Sequence, residues 1–378
     1  MNIPYTKHDI TDADIEAVEK VLRNGPLTNG PQVSAFEDKF STLVNAKYAA
    51  AVSSGTAALH LAVTALGVKP GQTVLVPSLT FAATANVVLY AGGEVEFVDI
   101  DPDTLLIDLK LIEQRLKTNP DKYAGVIAVD FAGLPVDIPQ LSETCKKYGV
   151  WLIEDASHSL GASFAYGEEK LMVGGSKYAD AVTFSFHPAK HITSGEGGMV
   201  TTPHKHIHER IALLRSHAMS KSKVNTDTEG WRYDIDILGY NYRLSDINAA
   251  LGLSQLDRLK QNVAQRRTLA EEYRSQLKDS SVLLPPDSPS SEHAYHLFVI
   301  QAPRRMELFN YLKQCGIFAQ VHYVPLHMQA LYKRSAASTP LIHTESYYER
   351  CLSIPMFPSL KANEQDHVIK SLTDFLEK

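Results

Sequence analysis

Seven short apolar runs, most of them separated by helical stretches, constrain this chain more than any other feature. They read YAAAV (48–52), TVLVP (73–77), VEFVDI (95–100), GVIAVD (125–130), VWLIED (150–155), AVTFSF (181–186) and GMVTT (198–202). Each is close to continuously apolar and rich in β-branched or aromatic residues, which predicts strands buried on both faces. Helical stretches at 55–67, 80–91, 108–117 and 137–148 lie between them. Strand–helix alternation of this kind predicts a mostly parallel sheet with helices on both sides. The last two runs have only the eleven residues HPAKHITSGEG (187–197) between them, too little for a crossover helix, so they are expected to pair antiparallel.

The pattern changes near residue 204. Long helices are predicted over 204–216 and 243–278, short strands near 280–284, 294–300 and 317–323, and a last helix near 362–377. The run SVLLPPDSPSSEH (281–293) reads as a surface loop at a domain junction. A chain of 378 residues is long enough for two cores. The expected organisation is a large α/β domain over 1–254 and a smaller α+β domain over 255–378. The net charge of −6, with no basic block, speaks against nucleic acid as a partner. The start, MNIPYTKHDI, has no apolar signal core, and no apolar run approaches the ~20 residues of a membrane span. A cytoplasmic protein without a membrane partner is therefore expected. Cys145, Cys315 and Cys351 are odd in number and far apart, which suggests neither a disulfide framework nor a metal site.

Chemistry concentrates in four segments. In FSFHPAKHITSGEGG (184–198), Lys190 stands among small and rigid residues instead of on a charged helix face. In AVSSGTAALHLAV (51–63), a strand ends at Ser53 and Ser54, Gly55 permits a tight turn, and a helix starts near Thr56. Such a helix start exposes free N–H groups and a positive dipole end, which suits a phosphate; a plain helix cap is the alternative. In WLIEDASHSLGA (151–162), Asp155 ends a buried strand, where α/β sheets bind ligands; a helix-capping Asp is the alternative. In LGYNYRLSDINAALGLSQL (238–256), a polar loop precedes a helix with Ala249, Ala250 and Gly252 on its buried side, which ordinary packing also explains.

Taken together, the segments fit pyridoxal phosphate. That cofactor needs an amine to bond with its aldehyde, an anion beside its ring nitrogen and a cradle for its phosphate. Lys190 supplies the amine, Asp155 the anion, and the 54–56 turn with Ser185 the cradle. A lysine ordinarily titrates near ~10.4, so Lys190 needs a site that lowers its basicity.

The segments SGTAAL, EDASHSLGA, SFHPAKHITSGEGG and LGYNYRLSD, in this order, resemble the DegT/DnrJ/EryC1/StrS family of sugar-nucleotide aminotransferases. The likeness runs from VLRNGPLTNGP (21–31) to VHYVPLH (321–327). It implies an aspartate aminotransferase-like fold (PLP fold type I), with a mostly parallel seven-stranded sheet, and a homodimer with sites shared between subunits. By this resemblance Thr56 binds the cofactor phosphate, Ser185 adds a second hydroxyl, and Phe81 stacks on the ring. Asp155 partners the ring nitrogen and Lys190 is the covalent lysine. His158 stands where many members have glutamine near the phenolic oxygen. Asn241 reaches the cofactor phosphate of the partner subunit. Some relatives are sugar dehydrases with histidine in place of the lysine. Here Lys190 lies five residues after Ser185, at the family's lysine position, and His191 one later. His187 and His191 are therefore read as wall or structural residues.

Four segments, VEFVDIDPDT, VDFAGLPVDI, IEDASHSLGA and SFHPAKHITSGEGGM, are similar to the branch that makes an amino sugar on the route to pseudaminic acid. That implies transfer of an amino group from L-glutamate to C4 of a UDP-linked 4-keto-6-deoxy-N-acetylhexosamine. The implied product is UDP-4-amino-4,6-dideoxy-N-acetyl-β-L-altrosamine. Tyr5 and the loop Pro26, Leu27, Thr28, Asn29 match positions lining the sugar-nucleotide pocket, a plain turn being the alternative for the loop. Tyr323 is read as substrate-facing, and His322 and His327 as either that or buried structural histidines. Asp130 departs from a histidine common in the family and has no assigned role. Lys190 would carry the proton as base and acid in a ping-pong course, with Asp155 keeping the ring protonated. Another nucleotide-sugar 4- or 3-aminotransferase is the main alternative. A non-catalytic sensor of the same fold would be expected to lose Lys190 or Asp155.

Overall fold

The computed structural model describes residues 2–175, 177–221, 231–333 and 340–377. The seven apolar runs form one sheet: β1 (Tyr48–Val52), β2 (Thr73–Pro77), β3 (Glu94–Val98), β4 (Tyr123–Val129), β5 (Trp151–Asp155), β6 (Ala181–Ser185) and β7 (Gly198–Thr202). In space they run β1-β7-β6-β5-β4-β2-β3. Only β7 opposes the rest, pairing antiparallel with both β1 and β6, as the short link to β6 requires. The other neighbours are parallel.

Among the described residues, twelve α-helices accompany the sheet. The first eight are α1 (Asp12–Asn24), α2 (Pro31–Val44), α3 (Gly55–Leu66), α4 (Ala82–Tyr90), α5 (Leu109–Thr118), α6 (Ile138–Tyr148), α7 (Lys205–Leu214) and α8 (Asp246–Leu256). The last four are α9 (Leu259–Leu277), α10 (Arg305–Gln314), α11 (Ile342–Arg350) and α12 (Ala362–Leu376). None of these helices is long and apolar enough to cross a membrane.

Both faces of the sheet are apolar because successive side chains point to opposite sides and neither set is polar. Val74, Val76, Ile127 and Ile153 enter a layer with α3, α4 and α7. Leu75, Val126 and Leu152 enter the opposite layer with α2, α5, α6 and α8. There Phe36 and Phe40 pack edge-on against Phe186 and Phe184, with ring centres 5.1 and 5.0 Å apart. Truncating one of these rings to alanine costs about 3–5 kcal/mol. Ala249, Ala250 and Gly252 are buried as expected, and a Cβ on Gly252 would press within 2.9 Å of the Phe36 ring. Helix α3 is apolar on nearly every side, so it is buried on every side. Ser54 caps its start and left-handed Gly67 (φ 82°) ends it.

A third apolar cluster joins α9, α10 and α12 to the antiparallel pair Phe298–Gln301 and Cys351–Ile354. The start of the chain packs here too, since Ile3 lies in this cluster and Ile3–Pro4 pairs with Ile317–Phe318. Three sequence-based expectations change. The helix over 243–278 is two helices, α8 and α9. The break falls where Asp257 pairs with Lys39 at 2.7 Å and Arg258 reaches Asp9 and Asp14 at 2.8 and 2.6 Å. The strand near 280–284 shrinks to a single bridge, Leu283 to Gln301. The strand near 317–323 shortens to Ile317–Phe318 with a bridge from Gln320 to Ser353.

Candidate active site

The C-terminal ends of β2, β4, β5 and β6 surround a cavity of about 430 Å³. This is the edge of a parallel sheet where successive loops diverge and leave room for a ligand.

One wall is the start of α3. The Ser54 hydroxyl accepts the Ala57 N–H at 3.0 Å, while the Gly55 and Thr56 amides precede the first intrahelical acceptors. A Cβ on Gly55 would come within 2.7 Å of Ser185 Cβ, so glycine permits the close approach of α3 to the end of β6. Gly55, Thr56 and Ser185 all line the cavity. Together they offer amides, hydroxyls and a helix dipole to an anion.

Asp155 closes β5, opposite Val129 in the register. It is almost fully buried, yet its carboxylate is well supplied with donors. Thr84 Oγ1 donates to Oδ2 at 2.9 Å, and Ser157 Oγ to Oδ1 at 2.6 Å. Lys190 follows β6 in a turn closed by its own N–H to His187 O at 2.9 Å. Lys190 is half-buried in the cavity wall, and desolvation there lowers the pKa of its amine to about 8. Asp155 opposes the shift and the buried Arg266 guanidinium adds to it. A lysine in this state is partly a free base near neutral pH and so can act as nucleophile and proton carrier.

Phe81 caps α4 and keeps its ring open to the cavity, 6.0 Å from the Tyr323 ring. His158 is buried with Nε2 3.2 Å from the Tyr323 hydroxyl, and burial holds it far below the usual imidazole range. Among the described residues its Nδ1 meets no hydrogen-bond partner. Tyr5, His322 and Tyr323 line the same cavity. His322 Nδ1 lies 2.7 Å from the Ser353 hydroxyl, and burial lowers its pKa to about 4.

The remaining sequence candidates separate from the cavity within one chain. Pro26, Leu27, Thr28 and Asn29 are exposed and outside the lining. Leu27 O accepts the Asp246 N–H at 2.9 Å, and the Asp246 carboxylate accepts from Gly30 N and Gln32 N, which pins the loop to α8. Asn241 is exposed and bridges Ser216. His187 lines the cavity, whereas His191 Nε2 turns to Ala294 O at 3.0 Å. His327 ties Ser78 to Glu345. Asp130 lies fully buried beside Glu154, accepting from Ser159 Oγ at 2.5 Å and Val136 N at 2.9 Å. Burial raises its pKa to about 7 despite those bonds, and burial raises Glu154 further.

Thr84, Ser157 and His296 line the cavity and were missed by the sequence reading. The i, i+4 hydroxyls of SLTFAATAN were the available signal for Thr84; nothing local marked His296. A larger cavity of about 510 Å³ opens between the 101–110 and 134–143 segments. Its Asp108 and Asp137 are already engaged in capping α5 and α6.

The DegT/DnrJ/EryC1/StrS aminotransferase family model matches residues 8–373. The chain belongs to that family. It is 38% identical over 382 residues to the UDP-4-amino-4,6-dideoxy-N-acetyl-beta-L-altrosamine transaminase of Campylobacter jejuni, covering 100% of this chain and 98% of that one. Helicobacter pylori PseC, an aminotransferase involved in the biosynthesis of pseudoaminic acid, superposes with a TM-score of 0.90 at 28% identity, covering all of both chains. The Streptococcus pneumoniae sugar aminotransferase Spr1654, solved in a PLP form, gives a TM-score of 0.90 at 28% identity, covering 100% of this chain and 99% of that one.

This aminotransferase uses pyridoxal phosphate, and its cavity fits the group. The glycine-dependent gap between α3 and Ser185, the buried carboxylate and the weakly basic amine stand in one cavity. When bound, the cofactor supplies an aldehyde for the amine and a ring that accepts electrons. Gly55, Thr56 and Ser185 would hold its phosphate and Asp155 its ring nitrogen. Lys190 would give and take the proton at the substrate carbon.

Proposed function

We propose that this aminotransferase moves the amino group of L-glutamate to C4 of a UDP-linked 4-keto-6-deoxy-N-acetylhexosamine. The product is UDP-4-amino-4,6-dideoxy-N-acetyl-β-L-altrosamine, a precursor of pseudaminic acid. The carrying observation is the 38% identity, over the whole chain, to a transaminase of that name. Tyr5, His322 and Tyr323 supply the cavity with polar groups able to face a sugar.

The same reading makes the enzyme a cytoplasmic homodimer with composite sites. Asn241 serves the cofactor phosphate of the partner subunit, and Pro26 to Asn29 line the sugar-nucleotide pocket. Support comes from the position of both segments: each is exposed, and both flank the start of α8. Trp231 and Leu238 are 77% and 81% exposed just before Asn241, an apolar surface suited to a second copy. Residues 1–254 and 255–378 are taken as the large and small domains, with residues 1–30 contributing to the substrate pocket.

The test offers the L-arabino-configured UDP 4-ketone and its D-xylo epimer at equal concentration, with glutamate as donor. A buried polar group left unpaired costs about 1–3 kcal/mol, so roughly 5- to 150-fold preference in kcat/KM for the first is expected. Equal rates, or preference for a dTDP-linked 3-keto sugar, would assign another 4- or 3-amino sugar and leave Lys190 and Asp155 in place.

A further inference from the structure

The carboxylate of Asp155 is gripped from two sides, by a neighbour in its own turn and by a side chain from a distant helix. Thr84 arrives on α4, 71 residues away, and holds Oδ2 at 2.9 Å. Ser157 arrives on the turn after β5 and holds Oδ1 through its hydroxyl at 2.6 Å and its N–H at 3.2 Å. Behind Thr84, its hydroxyl oxygen lies 2.8 Å from the hydroxyl of Thr80. The direction of this chain follows from valence. An ionised carboxylate can only accept, so the one hydroxyl hydrogen of Thr84 goes to Asp155. The Thr84 oxygen must then accept, and Thr80 is the donor. Both threonines are almost completely buried, which strengthens these bonds.

We propose that Thr84, backed by Thr80, and Ser157 are positioning residues that hold one Asp155 oxygen each and so aim the carboxylate at the cofactor ring nitrogen. A carboxylate on two single bonds turns freely about them, and a ring nitrogen presents one donor in one direction. Fixing each oxygen from a different element leaves the remaining lone pairs pointing along a set line into the cavity. Thr84 sits on the helix that begins at Phe81, so the same helix also carries the aromatic that lines the cavity. A shift of α4 would therefore move ring wall and carboxylate clamp together.

The proposal predicts graded losses in the affinity of the cofactor-free protein for pyridoxal phosphate, measured by equilibrium titration. Thr84→Val keeps the shape and loses the donor, and about a tenfold weaker binding is expected, against the fuller loss possible for a bond to a charged group. Ser157→Ala, on the other oxygen, is expected to weaken binding comparably. Thr80→Val is expected to cost about twofold to threefold, since it removes only the backing bond. Thr84→Ser restores the hydroxyl and should recover most of the affinity. The deciding measurement is a double-mutant cycle with Asp155→Asn. A residue that acts through the carboxylate has little left to lose there, so Thr84→Val should change affinity less than about twofold in that background. Thermal melting of each cofactor-free variant reports folding separately. Full additivity in the cycle, or no rescue by Thr84→Ser, overturns the proposal. If Thr84→Val does not fold, Ser157→Ala in the same cycle decides it.

Discussion

The low basicity of Lys190 has a measurable consequence before any substrate is involved. With its amine at about 8, roughly one-tenth of Lys190 is unprotonated at neutral pH. A lysine at the ordinary 10.5 would be unprotonated about once in three thousand, so burial raises the reactive fraction roughly 300-fold. The assay exposes cofactor-free enzyme to pyridoxal, which lacks the phosphate and so does not depend on the α3 cradle. The adduct is trapped with borohydride and located by peptide mass mapping. The initial rate at Lys190 should rise with pH and reach half its maximum near 8. Asp155→Asn should move that midpoint to lower pH, because the Asp155 charge favours the protonated amine. A midpoint at or above about 10, the range of an exposed lysine, would refute the reasoning. So would capture of the aldehyde mainly by another lysine.

Gly55→Ala should weaken binding of pyridoxal phosphate to the cofactor-free enzyme by roughly 5- to 150-fold, because relieving a Cβ 2.7 Å from Ser185 Cβ costs about 1–3 kcal/mol; unchanged affinity would remove the α3 start from phosphate binding. Mixing Lys190→Ala and Asn241→Ala chains should restore roughly a quarter of the wild-type rate, since random mixing makes half the dimers mixed and gives each one intact site; no recovery would place Asn241 outside the partner's site. Asp130 and Glu154 form a buried, coupled pair in which burial holds the protons to higher pH than in the unfolded chain, so stability should fall as pH rises above the ordinary carboxylate value of 3.8, by up to about 1.4 kcal/mol per pH unit for each extra proton held. Asp130→Asn should flatten that slope in melting temperatures taken across the window, and an unchanged slope would mean that other groups set it.

The sheet was legible because its signal is local. A strand buried on both faces must be apolar at every position, so YAAAV, TVLVP and their counterparts announce themselves without any partner. The short link between β6 and β7, too brief for a crossover helix, was enough to turn β7 against its neighbours. Past residue 257 the same reasoning lost ground. Strands there are two to four residues long and owe their pairing to partners distant in the chain, so their limits do not appear in any window of sequence. The break between α8 and α9 depends on Asp9, Asp14 and Lys39, none of them near it in the chain.

The site divides along the same line. Residue type and short spacing already singled out Lys190, Asp155, Gly55, Thr56 and Ser185, which the fold brings to one cavity, because each is a chemically distinctive side chain or a glycine in a compact motif. Only the tertiary structure decided that Thr84 and Ser157 grip Asp155, that Asp130 and Glu154 share a buried pocket, and that His296 faces the cavity. Apart from Ser157, which lies two residues from Asp155, these hydrogen bonds and burials join residues far apart in the chain, formed by common side chains whose local pattern does not name a partner. Protonation belongs with them: the sequence contains a lysine, but the burial that makes its amine a usable base exists only once the chain has closed around it.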